Sequence, residues 1–172
     1  MTHRNFIGFD INPDAVALSA KKCQFDFKTS ATCDIRLGDA RNLGLPDASI
    51  DLVCTHPPYA DIIRYSDGVE GDLSHLGRKD FLNEIYKVAN ESFRVLKKDK
   101  YCAILMGDVR KRGMVQPLAF DTMTVFQLSG FKLKEIIIKE QHNCQATGLW
   151  KTSSIKHNFL LLAHEYLFIF KK

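Results

Sequence analysis

The sequence predicts an α/β protein with a mostly parallel sheet that ends in an antiparallel hairpin. Three observations carry this. Strand and helix patterns alternate as far as Gly130. The first two strands run into carboxylates, Asp10 and Asp39. The last two strand patterns have no helical pattern between them. The 172 residues suit one domain, 1–172.

Phe6-Ile7-Gly8-Phe9 is a short apolar run ending at Asp10, which reads as a buried strand. Asn12 can cap a helix, and Pro13 suits its first turn, where a missing N–H costs nothing. Val16, Ala20 and Cys23 recur at helical spacing, so this helix should run to about Phe25. Cys33 to Leu37 is the second strand, followed by Gly38-Asp39-Ala40. After a turn at Leu45 to Ser49, Ile50 to Cys54 is a third strand. It leads into Thr55-His56-Pro57-Pro58-Tyr59, where two prolines end any regular element.

Ala60 to Arg78 is polar and contains Gly68, Gly71 and Gly77. Connections this long are usually lids, binding loops or disordered. An amphipathic helix follows, with Phe81, Leu82, Ile85, Val88, Ala89, Phe93 and Leu96 on one stripe. The cluster Lys97-Lys98-Asp99-Lys100 suits the negative end of that helix. Tyr101 to Met106 is the fourth strand. Pro117 to Leu128 is a helix, with Leu118, Thr122, Val125 and Phe126 on one face. Phe131 to Lys139 and Asn158 to Phe170 are the closing strands, joined by a turn-rich connection at Asn143 to Ser154.

The formal net charge of +4 permits a nucleic-acid partner without requiring one. No apolar run is long enough to span a bilayer, and residues 1–5 carry no secretory signal, which points to a cytoplasmic protein. Five cysteines with no C-x-x-C pair read as reduced thiols. A zinc site of Cys144 with His142 or His157 would match none of the usual ligand spacings, so no metal is expected.

The residues with the clearest chemistry are His56, Pro57, Pro58 and Tyr59. Both prolines fix φ, and the residues before them are pushed to extended geometry. A stiff corner can aim backbone carbonyls at a substrate. The Tyr59 ring would lie at the carboxyl edge of the sheet, where ligands of open α/β sheets bind, and a base can stack on such a ring. The plain alternative is a turn that merely ends a strand. Asp10 and Asp39, taken singly, could be turn residues. Together, ahead of the Pro-Pro-Tyr corner, they fit a nucleotide: a strand-end carboxylate accepts from ribose hydroxyls, and a second from an adenine amine.

In these residues the chain resembles the DNA N4-cytosine/N6-adenine methyltransferases. Phe6 to Pro13 is similar to that family's second strand, and Gly38-Asp39-Ala40-Arg41 to its next motif. His56-Pro57-Pro58-Tyr59 is similar to its catalytic [DNS]-P-P-[YFW] motif, and His164 to Phe170 to its closing hairpin. The resemblance implies a Rossmann-like class I methyltransferase sheet. It implies S-adenosylmethionine as cofactor, with Asp10 and Ile11 at the ribose and Asp39 and Ala40 at the adenine. DNA is then the partner, as in restriction-modification. A flipped base stacks on Tyr59, and its amine donates hydrogen bonds to residue 56 and to the Pro57 carbonyl. The freed lone pair attacks the methyl group in line, so catalysis is by placement.

Two departures stand out. The motif's first residue is His56 rather than Asp, Asn or Ser. Neutral imidazole has one acceptor nitrogen and its cation none, so activity is expected to fall as pH drops. The family also places a strand and an Asp-Pro-Phe-x-Gly-x-Gly loop ahead of this point, and neither occurs in these residues. The expectation is a sheet with its first strand missing and strand edges left unpaired. A longer gene or a second polypeptide could supply the piece. Arg64, Arg78, Arg110, Lys111 and Arg112 are candidate phosphate contacts, against the alternative of solvated basic loops. Other readings are an RNA base-amine methyltransferase and an inactive remnant or partner-dependent subunit.

Overall fold

Phe6–Asp10 forms β1, Pro13–Lys22 forms α1 and Cys33–Leu37 forms β2 in the computed structural model, which describes residues 3–24, 30–141 and 147–172. The Asn12 side chain accepts the N–H of Asp14 at 2.9 Å and Pro13 opens the helix, as the sequence required. The helix stops before the predicted Phe25, which lies outside the described residues. Cys23 leaves helical geometry at ψ 8°, and none of the helix residues is buried. β1 and β2 pair in parallel from Phe6–Cys33 to Asp10–Leu37.

Ile50–Thr55 forms β3, Arg78–Val95 forms α2 and Leu96–Met106 forms β4. β4 starts five residues before the predicted Tyr101. The lysine cluster therefore lies in a strand and does not end the helix. Lys97 and Lys100 pair instead with Asp51 at 2.9 and 3.5 Å. The helix-end carbonyls of Phe93 and Leu96 are taken by Lys172 from the far end of the chain. Val109–Lys111 (β5) and Met114–Gln116 (β6) form a small hairpin not predicted from sequence. Its turn uses positive φ at Arg112 (52°) and Gly113 (79°), the geometry of a tight two-residue hairpin.

Leu118–Leu128 forms α3 and Lys132–Glu140 forms β7. The connection predicted as turns contains a helix, α4 (Thr147–His157). Leu149, Trp150 and Ile155 are all exposed there, so no apolar stripe betrayed it. The last strand, β8, is His164–Lys171, beginning later than the predicted Asn158. The larger sheet has the order β3-β4-β8-β7. β3 and β4 are parallel, and β8 runs antiparallel to both β4 and β7, giving the expected closing hairpin. Among the described residues, β1 bonds only to β2, and β3 only to β4.

The core lies where α2 and α3 cover this sheet. Phe81, Ile85 and Ala89 of α2 and Leu118 and Phe126 of α3 pack with Ile104, Met106, Phe168 and Phe170 of the sheet. Phe126 stacks on Phe170 with ring centroids 5.6 Å apart. Each such side chain contributes roughly 1.5–3 kcal/mol on burial. No helix among the described residues is long and apolar enough to cross a membrane. The four described cysteines are free thiols, and Cys144 lies outside the described residues.

Candidate active site at the carboxyl rim

β3 ends at Thr55, and the chain then turns through His56, buried Pro57, and half-buried Pro58 and Tyr59. The next residue, Ala60, is buried with φ 49°. A left-handed alanine costs of order 1–3 kcal/mol and persists only where its surroundings impose it. Here they do. The Tyr59 hydroxyl donates to Glu165 Oε1 of β8 at 2.5 Å, 106 residues along the chain. Glu165 is 5% exposed, and its other oxygen accepts from Lys139 Nζ of β7 at 2.6 Å. His56 Nε2 lies 3.2 Å from the Tyr59 hydroxyl and 3.7 Å from Glu165 Oε1. The His56 and Tyr59 rings meet edge to face.

Two further features fix the tyrosine. A Cβ on Gly107, just past β4, would lie 3.1 Å from the Tyr59 ring, so any larger residue there would press the ring out of place by a few tenths of an ångström. The charges also hold it in one state. Burial, then the Glu165 carboxylate, pushes the Tyr59 phenol well above its ordinary range. Burial also works to raise Glu165, but hydrogen bonds from Lys139, Tyr59 and Gln141 outweigh it and leave the carboxyl below its usual value. The pair is thus a neutral phenol donating to a carboxylate.

The other half of the rim is looser. Asp10 ends β1, exposed, with Oδ1 accepting the N–H of Asn12 at 2.8 Å. Its Oδ2 has no hydrogen-bond partner among the described residues. Ile11 is half-buried, its side chain 3.0 Å from where a Cβ on Gly71 would sit. Asp39 is held by Arg41, through the backbone N–H at 2.8 Å and the guanidinium at 2.5–2.9 Å. Burial would raise the Asp39 carboxyl, but Arg41 holds it below the usual range. Ala40 is exposed in the turn between them.

The long loop joins the two halves. Asp72 organises it by accepting from Ser66 Oγ, Ser74 N and Ser74 Oγ. Two 3-10 turns, Ala60–Ile62 and Leu73–His75, give it further structure. Asn12 Nδ2 approaches the carbonyl of Tyr65 at 3.5 Å, and Arg41 reaches Glu84 of α2 at 2.5 Å and the carbonyl of Gly71 at 3.3 Å. The loop that leaves Tyr59 therefore touches the ends of both β1 and β2. A cavity of about 620 Å³ opens beside it, lined in part by Arg41, Gly71, Asp72, Leu76 and Glu84.

The basic candidates divide. Arg78 is paired with Asp121 at 2.5 Å and bonded to Gln116. Arg110 donates to the carbonyls of Gly113 and Leu160 and lies over the Phe159 ring. Lys111 pairs with Asp61 at 2.6 Å. These three brace the rim. Arg64 and Arg112 are exposed and make no ion pair among the described residues. Among those residues no cluster of three or more metal-ligating side chains occurs, and His142 and Cys144 lie outside them. Sequence reasoning missed Glu165 and Lys139 as site residues. In the sequence Glu165 reads only as part of the closing strand.

Comparison with known proteins places the chain among methyltransferases. The family described as DNA methylase matches residues 50–172, and a general methyltransferase domain matches residues 1–57. The type II methyltransferase M.MjaVI of Methanocaldococcus jannaschii is 26% identical over 112 residues, covering 65% of this chain and 56% of that protein. TTHA0409 of Thermus thermophilus, assigned as a DNA modification methylase, was solved in complex with S-adenosyl-L-methionine. It superposes with a TM-score of 0.57 at 28% identity, over 78% of this chain and 53% of that one. The PvuII cytosine-N4-specific DNA methyltransferase shares the fold, with a TM-score of 0.61 at 20% identity over 78% of this chain and 47% of that one. The chain thus spans about half the length of the relatives it matches.

Proposed function

The chain belongs to the DNA methylase family, and from that premise we propose that its rim transfers a methyl group from S-adenosylmethionine to the exocyclic amine of a DNA base, cytosine N4 or adenine N6. The observation that carries the reading is the Tyr59 corner, whose ring is pinned by Glu165, Lys139 and Gly107 before any substrate arrives.

The residues present fit the cofactor in part. Asp10 offers a carboxylate oxygen free to accept from ribose hydroxyls, with Ile11 beside it. The Asp39 oxygens are largely occupied by Arg41, so an adenine amine at Asp39–Ala40 would have to share that carboxylate. When bound, S-adenosylmethionine supplies the electrophilic methyl group. The chain's own residues do the rest. Tyr59 provides the stacking face. The Pro57 carbonyl and His56 accept from the amine, and this aims the nitrogen lone pair out of conjugation with the ring. No covalent enzyme intermediate is needed, so the contribution is orientation and electrostatic placement. Arg64 and Arg112 are the side chains best placed to meet phosphates, giving salt-dependent binding. The unpaired sides of β1 and β3 are where a further strand would add, from a longer form of the chain or a second polypeptide.

The test is transfer of labelled methyl groups into duplex DNA and into tRNA. Label should enter DNA, and Tyr59→Ala should slow it by about 10- to 100-fold, as expected for a lost stacking platform worth roughly 1–3 kcal/mol. Label in tRNA alone, or in neither, overturns the reading.

A further inference from the structure

We infer that Glu165, clamped by Lys139, sets the tautomer of His56 through the Tyr59 hydroxyl, so that His56 Nδ1 is the acceptor offered to the target amine. The inference deepens the reading above and rests on it for the identity of that amine.

The argument is a count of protons. A phenol has one proton to donate, and a carboxylate can only accept. The 2.5 Å contact between Tyr59 and Glu165 Oε1 therefore consumes the tyrosine proton. Lys139 holds Glu165 in the carboxylate form from the other side, at 2.6 Å, and Gln141 also bonds to it. The Tyr59 oxygen is left with lone pairs only. A neighbouring nitrogen at 3.2 Å can then bond to it only by donating, so His56 Nε2 carries the hydrogen. In a neutral imidazole the other nitrogen, Nδ1, must keep its lone pair. Nδ1 has no hydrogen-bond partner among the described residues, and the ring is half-exposed. The corner is thus supplied with the one acceptor that a histidine at this position needs. Without the carboxylate, the Tyr59 proton would be free to turn toward Nε2. The hydrogen would then move to Nδ1, and the acceptor would become a donor. Glu165 and Lys139 are in this sense positioning residues acting through Tyr59.

The experiment is nitrogen NMR of the ¹⁵N-histidine-labelled chain at a pH where the ring is neutral, with the His56 signals identified by their loss in His56→Asn. The native chain should show hydrogen on Nε2 and a bare Nδ1. Tyr59→Phe, which removes the acceptor for Nε2, should give a mixture of tautomers. Glu165→Leu with Lys139→Met replaces both partners by apolar groups and so avoids leaving a lone buried charge. It should move the hydrogen to Nδ1 while the other histidines are unchanged. Methyl transfer in that double variant should fall on the order of 100-fold in kcat, with little change in cofactor KM. Much of the loss should be absent when His56 is also Asn, whose carbonyl oxygen accepts regardless of tautomer. Hydrogen on Nδ1 in the native chain, or an unmoved tautomer in the double variant, overturns the inference. The two readings separate cleanly. A tautomer that switches in a chain inert toward DNA keeps the tautomer control and sinks the methyltransferase reading. Transfer that persists with an unmoved tautomer does the reverse.

Discussion

The two halves of the rim stand on different foundations. The Tyr59 corner is fastened to the β3-β4-β8-β7 sheet, whose inner face carries fully buried Phe168 and Phe170 under α2 and α3. The Asp10 and Asp39 ends belong to β1, α1 and β2, which contribute no residue to the buried core. Phe6, Leu18 and Leu37 are more than half exposed there. The Tyr59 corner is therefore pre-organised by packing. The Asp10 and Asp39 half is held to it by a few polar contacts, chiefly Arg41 to Glu84 and Gly71, and Leu43 N–H to Glu91.

The largest effect should come from breaking the stronger foundation. Phe168→Ala should cost about 3–5 kcal/mol in denaturant unfolding, the usual range for a buried phenylalanine truncated to a cavity. Leu37→Ala, in the other half, should stay within about 0.5 kcal/mol. Equal losses would erase the contrast between the two halves.

A smaller effect follows from the lowered carboxyl of Glu165. A depressed folded-state value stabilises the chain above the ordinary carboxyl range, and the contribution is lost as pH falls through the folded value. The stability gap between the native chain and Glu165→Gln should therefore be flat above about pH 5 and should close at lower pH. A gap that widens on acidification would mean that the carboxyl is not held as a carboxylate.

Much of this was legible in the residues. The Asn12-Pro13 cap, the Pro57-Pro58 stop and the stripe of Phe81, Leu82, Ile85, Val88, Ala89 and Phe93 each act locally, so the extent of β1, the end of β3 and α2 follow from neighbours in sequence, although β1 is not the buried strand its apolar run predicted. α4 was not legible, because Leu149, Trp150 and Ile155 bury no common face. The first residues of β4 were hidden by Lys97 to Lys100, whose charges resemble a helix end but pair with Asp51 across the β3–β4 ladder. Of the site, the Pro-Pro-Tyr corner could be read directly. Glu165 could not be read as its partner, since nothing local links a glutamate in the last strand to a tyrosine 106 residues earlier. The ion pairs of Arg78 and Lys111 are likewise long-range, and sequence offered them only as free cations.

Hydrogen exchange, followed with and without S-adenosylmethionine, tests the unequal rim most directly. In the free chain, amides of β4 and β8 should exchange only through global opening, and those of β1 and β2 by far easier local opening. Added cofactor should slow exchange around Asp10–Asn12 and Asp39–Asn42 while leaving β7 unchanged. Uniform protection in the free chain, or no slowing at those two strand ends, would contradict the account.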